Sequence, residues 1–100
     1  MIKVGIVGGA GYTGGELIRI LLNHPEATIS FIHSNSNAGN TLYKVHADLL
    51  GETDLLFTDV LSDDIDVLFL CLGHGDSAVF LKENPIASTI KIIDLSQDFR

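Results

Sequence analysis

The first third of the chain carries the feature that most restricts its fold: strand, glycine turn, helix and strand in immediate succession. Ile2 to Val7 is a short run rich in Ile and Val, and it leads directly into Gly8-Gly9-Ala10-Gly11-Tyr12-Thr13-Gly14. After the glycines, Leu17, Ile18, Leu21 and Leu22 recur at helical spacing. Pro25 disfavours helical geometry at His24, so the helix is expected to stop near Asn23. Thr28 to His33 is β-branched and aromatic and reads as a second strand. This succession has the length of one βαβ unit, about thirty residues.

The remaining chain continues the alternation. Ser34 to Gly39 is polar and turn-forming, Leu42, Val45 and Leu49 predict a short helix, and Leu55 to Phe57 a brief third strand. Val67 to Leu72 is an unbroken apolar run, which suits a central parallel strand covered on both faces. Gly73-His74-Gly75 breaks it, and Asp76 or Ser77 is expected to cap a helix running to about Lys82. Asn84-Pro85 ends that helix, and Ile90 to Asp94 supplies a fifth strand. Strands alternating with helices predict an α/β fold, a Rossmann-like doubly wound parallel sheet. No closing helix follows the fifth strand, so residues 1–100 are expected to be the front part of a longer chain whose catalytic and dimerisation domain lies elsewhere.

Gly9-Ala10-Gly11-Tyr12-Thr13-Gly14 has the spacing G-x-G-x-x-G, and Gly8, Gly11 and Gly14 form an overlapping series. After a strand and before a helix, such glycines permit a sharp turn, close backbone approach to a pyrophosphate and tight helix–strand packing. The helix then aims its N-terminal N–H groups and positive dipole end at the phosphates. Gly8, Gly9, Gly11, Tyr12, Thr13 and Gly14 are therefore candidate cofactor-binding residues. Gly15, inside the first helical turn, is expected to be a tolerated cost of roughly 1 kcal/mol relative to alanine.

Cofactor choice turns on the end of the second strand. NAD-binding domains usually place Asp or Glu there, about twenty residues past the glycines, to hold the ribose 2′-hydroxyl. Here that position falls in His33-Ser34-Asn35-Ser36-Asn37, and no acid occurs between Glu26 and Asp48. Hydroxyl and amide donors favour a 2′-phosphate that a carboxylate would repel, so NADP is the expected cofactor, with Ser34, Ser36 and Asn37 as its readers. Charge adds a weaker hint. The formal net charge is −7, and all the excess acid lies beyond Ala47, leaving the glycine-bearing part close to neutral.

The same acidity argues against nucleic-acid or anionic-membrane partners, which need basic surface. No apolar stretch approaches the roughly eighteen residues of a membrane span, and Met1 leads straight into a strand, so no secretory leader is expected. The single cysteine, Cys71, excludes a disulfide framework and a multi-thiolate metal site. Asp63-Asp64-x-Asp66 lacks the glycine and terminal glutamate of a calcium loop and reads as a solvated turn, and no metal site is expected.

Three segments combine into a resemblance. Gly8 to Leu17, then Ser36-Asn37-Ala38-Gly39, then Asp94-Leu95-Ser96-Gln97-Asp98-Phe99-Arg100 closely resemble N-acetyl-gamma-glutamyl-phosphate reductase, with His24-Pro25 and Leu70-Cys71-Leu72-Gly73-His74 in similar places. The resemblance implies a cytoplasmic, homo-oligomeric enzyme of arginine biosynthesis that reduces N-acetyl-glutamyl 5-phosphate with NADPH, releasing phosphate. It implies a cysteine thiolate that displaces phosphate to form a thioester, hydride transfer to that thioester, and a histidine that handles the proton. The family cysteine sits in a Pro-Gly-Cys segment of a following domain. No such segment occurs here, so no catalytic residue is expected within residues 1–100 and Cys71 does not inherit the role.

His74, flanked by Gly73 and Gly75, follows the strongest strand at the crevice where such folds bind ligands. Gly73 and His74 are accordingly expected to touch the cofactor. Ser96 and Arg100 lie where the acyl-phosphate substrate would approach, and Arg100 has the fork geometry to hold a phosphate or carboxylate. Asp76 is expected to be a helix cap, and His24, His33 and His46 to be structural or exposed. Two other readings share these features: an aspartate-semialdehyde dehydrogenase, and a non-catalytic NADP-binding module.

Overall fold

Strand β1 (Ile2–Val7) is followed by helix α1 (Tyr12–Leu22) and strand β2 (Ala27–His33). Then come β3 (Phe57–Thr58), β4 (Val67–Leu70), α2 (Asp76–Glu83) and β5 (Lys91–Asp94). The computed structural model describes residues 1–73 and 75–95. Every strand pairing is parallel, and the sheet order is β3-β2-β1-β4-β5. The chain therefore winds outward from β1 in one direction, returns, and winds outward in the other. The reversal falls between β1 and β4, where ligands bind in doubly wound sheets.

Side-chain alternation along β1 divides the core in two. Val4 and Ile6 pack with Ile18 and Leu21 of α1 and with Ile29, Ile32, Leu42, Leu49 and Phe57. Val7 faces the opposite side, with Phe31, Leu68, Leu70 and Ile90, and Phe80 and Leu81 of α2 close that layer. The sheet is thus covered by helices on both faces, as its apolar central strands require. Gly5 admits the Phe31 ring across β1, because a Cβ there would lie 2.5 Å from that ring. The pairing of β1 with β2 slips between Val4 and Gly5, so Ser30 has no counterpart. Asp64 and Asp66 are more than a solvated turn: Asp66 accepts the Lys3 backbone N–H at 2.8 Å, and Lys3 Nζ pairs with Asp64 at 3.0 Å.

Several boundaries differ from expectation, each for a local reason. The helix expected through Leu42, Val45 and Leu49 is two short 3-10 turns, Leu42–Lys44 and Ala47–Leu49. Between them His46 adopts φ −113°, ψ 84°, outside helical geometry. The third strand begins at Phe57, because Leu56 is drawn into an antiparallel bridge with Thr41. β4 ends at Leu70, although Cys71 N–H still donates to the Val7 carbonyl at 2.8 Å. Neither Asp76 nor Ser77 caps α2. Gly75 does so in left-handed geometry (φ 86°), Asp76 is the first helical residue, and Ser77 is buried with its hydroxyl donating to Asp94 at 3.1 Å. Among the described residues no helix is long and apolar enough to cross a membrane.

Candidate functional site

The turn between β1 and α1 is built by glycines with different duties. Gly8 has φ 81°, and a Cβ on it would fall 2.7 Å from the Cys71 carbonyl. Its N–H and that of Gly9 converge on the His33 carbonyl, at 3.1 and 3.3 Å, so the turn hangs on the end of β2. A Cβ on Gly9 would lie 2.2 Å from the Ile32 side chain, and one on Gly14 would lie 2.7 Å from both the Gly8 carbonyl oxygen and Gly9 Cα. These three glycines are explained by the fold itself.

Gly11 is not. Its φ of −80° and ψ of 177° suit any residue, and the nearest atom to an added Cβ is 3.8 Å away. It is exposed at the mouth of α1, where no side chain caps the helix and no acid occupies the first turn. The Tyr12, Thr13 and Gly14 amides have no acceptor among the described residues. Uncapped amides and the positive helix end form a receptor for an anion, and a bare Cα beside them leaves room for one. Tyr12 and Thr13 are themselves exposed on this rim.

The Ser34–Asn37 loop follows β2 directly, and its first residue is fixed by Ser34 N–H donating to Thr58 at 2.9 Å. The three expected phosphate readers are drawn together: Asn37 Nδ2 donates to Ser34 Oγ at 3.4 Å and Ser36 Oγ at 3.3 Å. Each serine oxygen thereby accepts, which leaves its own O–H available to donate; Ser34 is buried and Ser36 exposed. Beside this loop lies an open cleft of about 590 Å³ lined by His33, Asn35 and Asp59 on the sheet side and by Leu72, Asp76 and Phe80 on the other. His33 is buried, stands edge-on to Phe80 at 5.9 Å, and has its pKa lowered by desolvation, an effect Asp59 opposes. Asp59, Asp76 and Glu83 make the cleft wall acidic. It suits a neutral ring bearing N–H groups and would repel a phosphate.

Gly73 is exposed, with the Asp76 carboxylate 3.2 Å from the place its Cβ would occupy. His74, Ser96 and Arg100 lie outside the described residues. Cys71 is partly buried, and desolvation, followed by the Asp94 carboxylate, pushes its thiol up to about 11. A thiol so shifted is protonated at neutral pH and a poor nucleophile.

Two residues meet in a contact that the sequence pattern does not show. His46 is buried, and its Nε2 meets the Gly9 carbonyl at 2.7 Å. Gly15, expected to be a tolerated defect, makes room for it: a Cβ there would lie 2.7 Å from the imidazole Cε1. The helix thus gives up a side chain to seat a ring from a segment remote in sequence.

The family model described as semialdehyde dehydrogenase, NAD binding domain, matches residues 3–100. Proteins named N-acetyl-gamma-glutamyl-phosphate reductase are 61% identical over 101 residues in Bacteroides thetaiotaomicron and 56% identical over 100 residues in Christiangramia forsetii. Each alignment takes in 100% of this chain, which spans 31% of the length of either relative. Aspartate semialdehyde dehydrogenase with NADP from Candida albicans has a similar fold, with TM-score 0.77 and 19% identity over 99% of this chain and 30% of that one.

Proposed function

The chain belongs to the semialdehyde dehydrogenase family of NAD-binding domains, and from that premise we propose that it is the cofactor-holding portion of an NADPH-dependent acyl-phosphate reductase. The substrate assigned is N-acetyl-glutamyl 5-phosphate, reduced to the semialdehyde with release of phosphate, in a homo-oligomeric enzyme of the cytoplasm. The names and identities of the bacterial relatives support the substrate.

One observation carries the cofactor assignment: Gly11, where an added Cβ would meet nothing closer than 3.8 Å, stands beside uncapped helical amides. The Tyr12, Thr13 and Gly14 amides bind the pyrophosphate, and the absent Gly11 side chain lets it approach. Ser34 and Ser36 donate to the ribose 2′-phosphate, and Asn37, whose two amide N–H bonds go to the serine oxygens, holds both hydroxyls in place. The acidic cleft would take the adenine: its carboxylates can accept from an exocyclic amine, and Phe80 and Leu72 offer apolar surface to a ring. Gly73 and His74 border the cofactor beyond β4, and Ser96 and Arg100 meet the acyl phosphate. The bound nicotinamide supplies the hydride. The thiolate and the proton-handling histidine are assigned to the part of the relatives that this chain does not span. The raised Cys71 thiol supports leaving it out of the reaction.

The test is an assay of the intact protein with both acyl phosphates, together with titrations of the two reduced dinucleotides. Turnover is expected with N-acetyl-glutamyl phosphate, and NADPH is expected to bind at least about tenfold tighter than NADH, the worth of one or two charge-assisted hydrogen bonds. Turnover of aspartyl phosphate alone would transfer the chain to the other semialdehyde dehydrogenase reaction. Equal affinities for NADPH and NADH would remove the 2′-phosphate from the Ser34–Asn37 loop.

A further inference from the structure

The connection between β2 and β3 does more than join strands. Leu42 and Leu49, one from each 3-10 turn, are buried against the α1 face of the sheet. Between them His46 lays its ring on the first turn of α1, in the space left by Gly15, with Phe57 tilted against it at 6.3 Å. Two residues later Asp48 grips the same helix through Arg19, with Arg19 Nη2 donating at 2.8 Å and Nε engaging the second carboxylate oxygen. Arg19 holds the Asp48 carboxyl down to about 2. The segment therefore contacts α1 at its first and second turns and reaches past it to the glycine turn.

What it reaches is the Gly9 carbonyl, 2.7 Å from His46 Nε2. We propose that His46 is a positioning residue for the phosphate turn: by donating to the Gly9 carbonyl it fixes the Gly9–Ala10 peptide, so that the Ala10 N–H is presented to the cofactor pyrophosphate. In a trans peptide the C=O and the following N–H point in opposite directions, so the atom that holds one aims the other. The Ala10 N–H has no acceptor among the described residues. Glycine's freedom makes a peptide beside it easy to rotate, and a rotated peptide would turn a carbonyl oxygen toward the phosphate. A buried carbonyl left without its donor is destabilised in the held orientation, so losing His46 favours that rotation.

The inference rests on the cofactor reading above, and its test keeps the two apart. NADPH and adenosine 2′-monophosphate, which has the adenosine and 2′-phosphate but no pyrophosphate, are titrated into the intact protein and its variants. His46→Phe keeps a ring and removes the donor. It is expected to weaken NADPH about tenfold while leaving the 2′-monophosphate within about twofold, and His46→Gln to recover most of the loss. If His46→Phe does not fold, Gly15→Ala, whose methyl displaces the ring, is measured in its place with the same expectation. A variant that binds NADPH like the unaltered protein overturns the inference. So does equal weakening of both ligands, which marks a merely structural residue. Unaltered protein with no affinity for NADPH would instead overturn the cofactor reading itself.

Discussion

Replacing Gly11 by valine is expected to weaken NADPH binding by about a hundredfold or more, near 3 kcal/mol, while the fold survives. Valine accepts the observed φ of −80° and ψ of 177°, and its Cβ would meet nothing closer than 3.8 Å. The fold should lose only the difference between Gly and Val at a helix N-cap, about 1 kcal/mol. The ligand fares differently. A branched side chain at the mouth of α1 fills the space beside the Tyr12, Thr13 and Gly14 amides, and the pyrophosphate can no longer reach them. Calorimetric titration with NADPH, run beside a denaturant melt, separates the two effects. Retained affinity in a folded variant would show that nothing approaches Gly11.

Gly14→Ala should do the reverse, costing about 3 kcal/mol of stability, the upper end of what overpacking typically costs. On helix propensity alone the same change would add roughly 1 kcal/mol, so the sign of the measured effect is decisive. The new Cβ would stand 2.7 Å from the Gly8 carbonyl oxygen and from Gly9 Cα. Both are backbone atoms of a turn held by hydrogen bonds to His33, and they have no rotamer in which to retreat. Gly9→Ala meets the Ile32 side chain, which can shift, and should cost less. Urea unfolding of the intact protein checks the order, and a stabilised Gly14→Ala variant would refute this packing of α1 on the turn.

What the sequence made legible was what neighbours in the chain decide. β1, the glycine turn, α1 and β2 could be read because their periodicity, their glycines and Pro25 all act within a few residues. The parallel sheet followed from alternation alone. The Ser34–Asn37 loop was legible because it must follow β2, whose end lies beside the turn in any such unit. The duties of the individual glycines were not legible. Gly8, Gly9 and Gly14 are required by contacts with Cys71, Ile32 and the turn itself, and only Gly11 remains for a ligand.

The contact between His46 and Gly9 joins residues 37 apart, and no local pattern announces it. Gly15 was misread for the same reason, since its partner is that distant ring. The expected helix near His46 failed because the ring's reach to Gly9 takes the backbone out of helical geometry. At α2, Asp76 and Ser77 look like caps in sequence. Gly75 took that position by adopting positive φ, which left Ser77 to turn inward to Asp94. Local chemistry proposes a cap, and tertiary placement decides which residue serves.

In the function proposed above, the glycine turn and the start of α1 hold the pyrophosphate of NADP(H). Titrating NADPH into the isotopically labelled intact protein and following the backbone amides tests it directly. The Ala10, Gly11, Tyr12, Thr13 and Gly14 amides are predicted to shift and saturate together with those of Ser34, Ser36 and Asn37. Binding of NADPH that leaves the Ala10–Gly14 amides unmoved would contradict it.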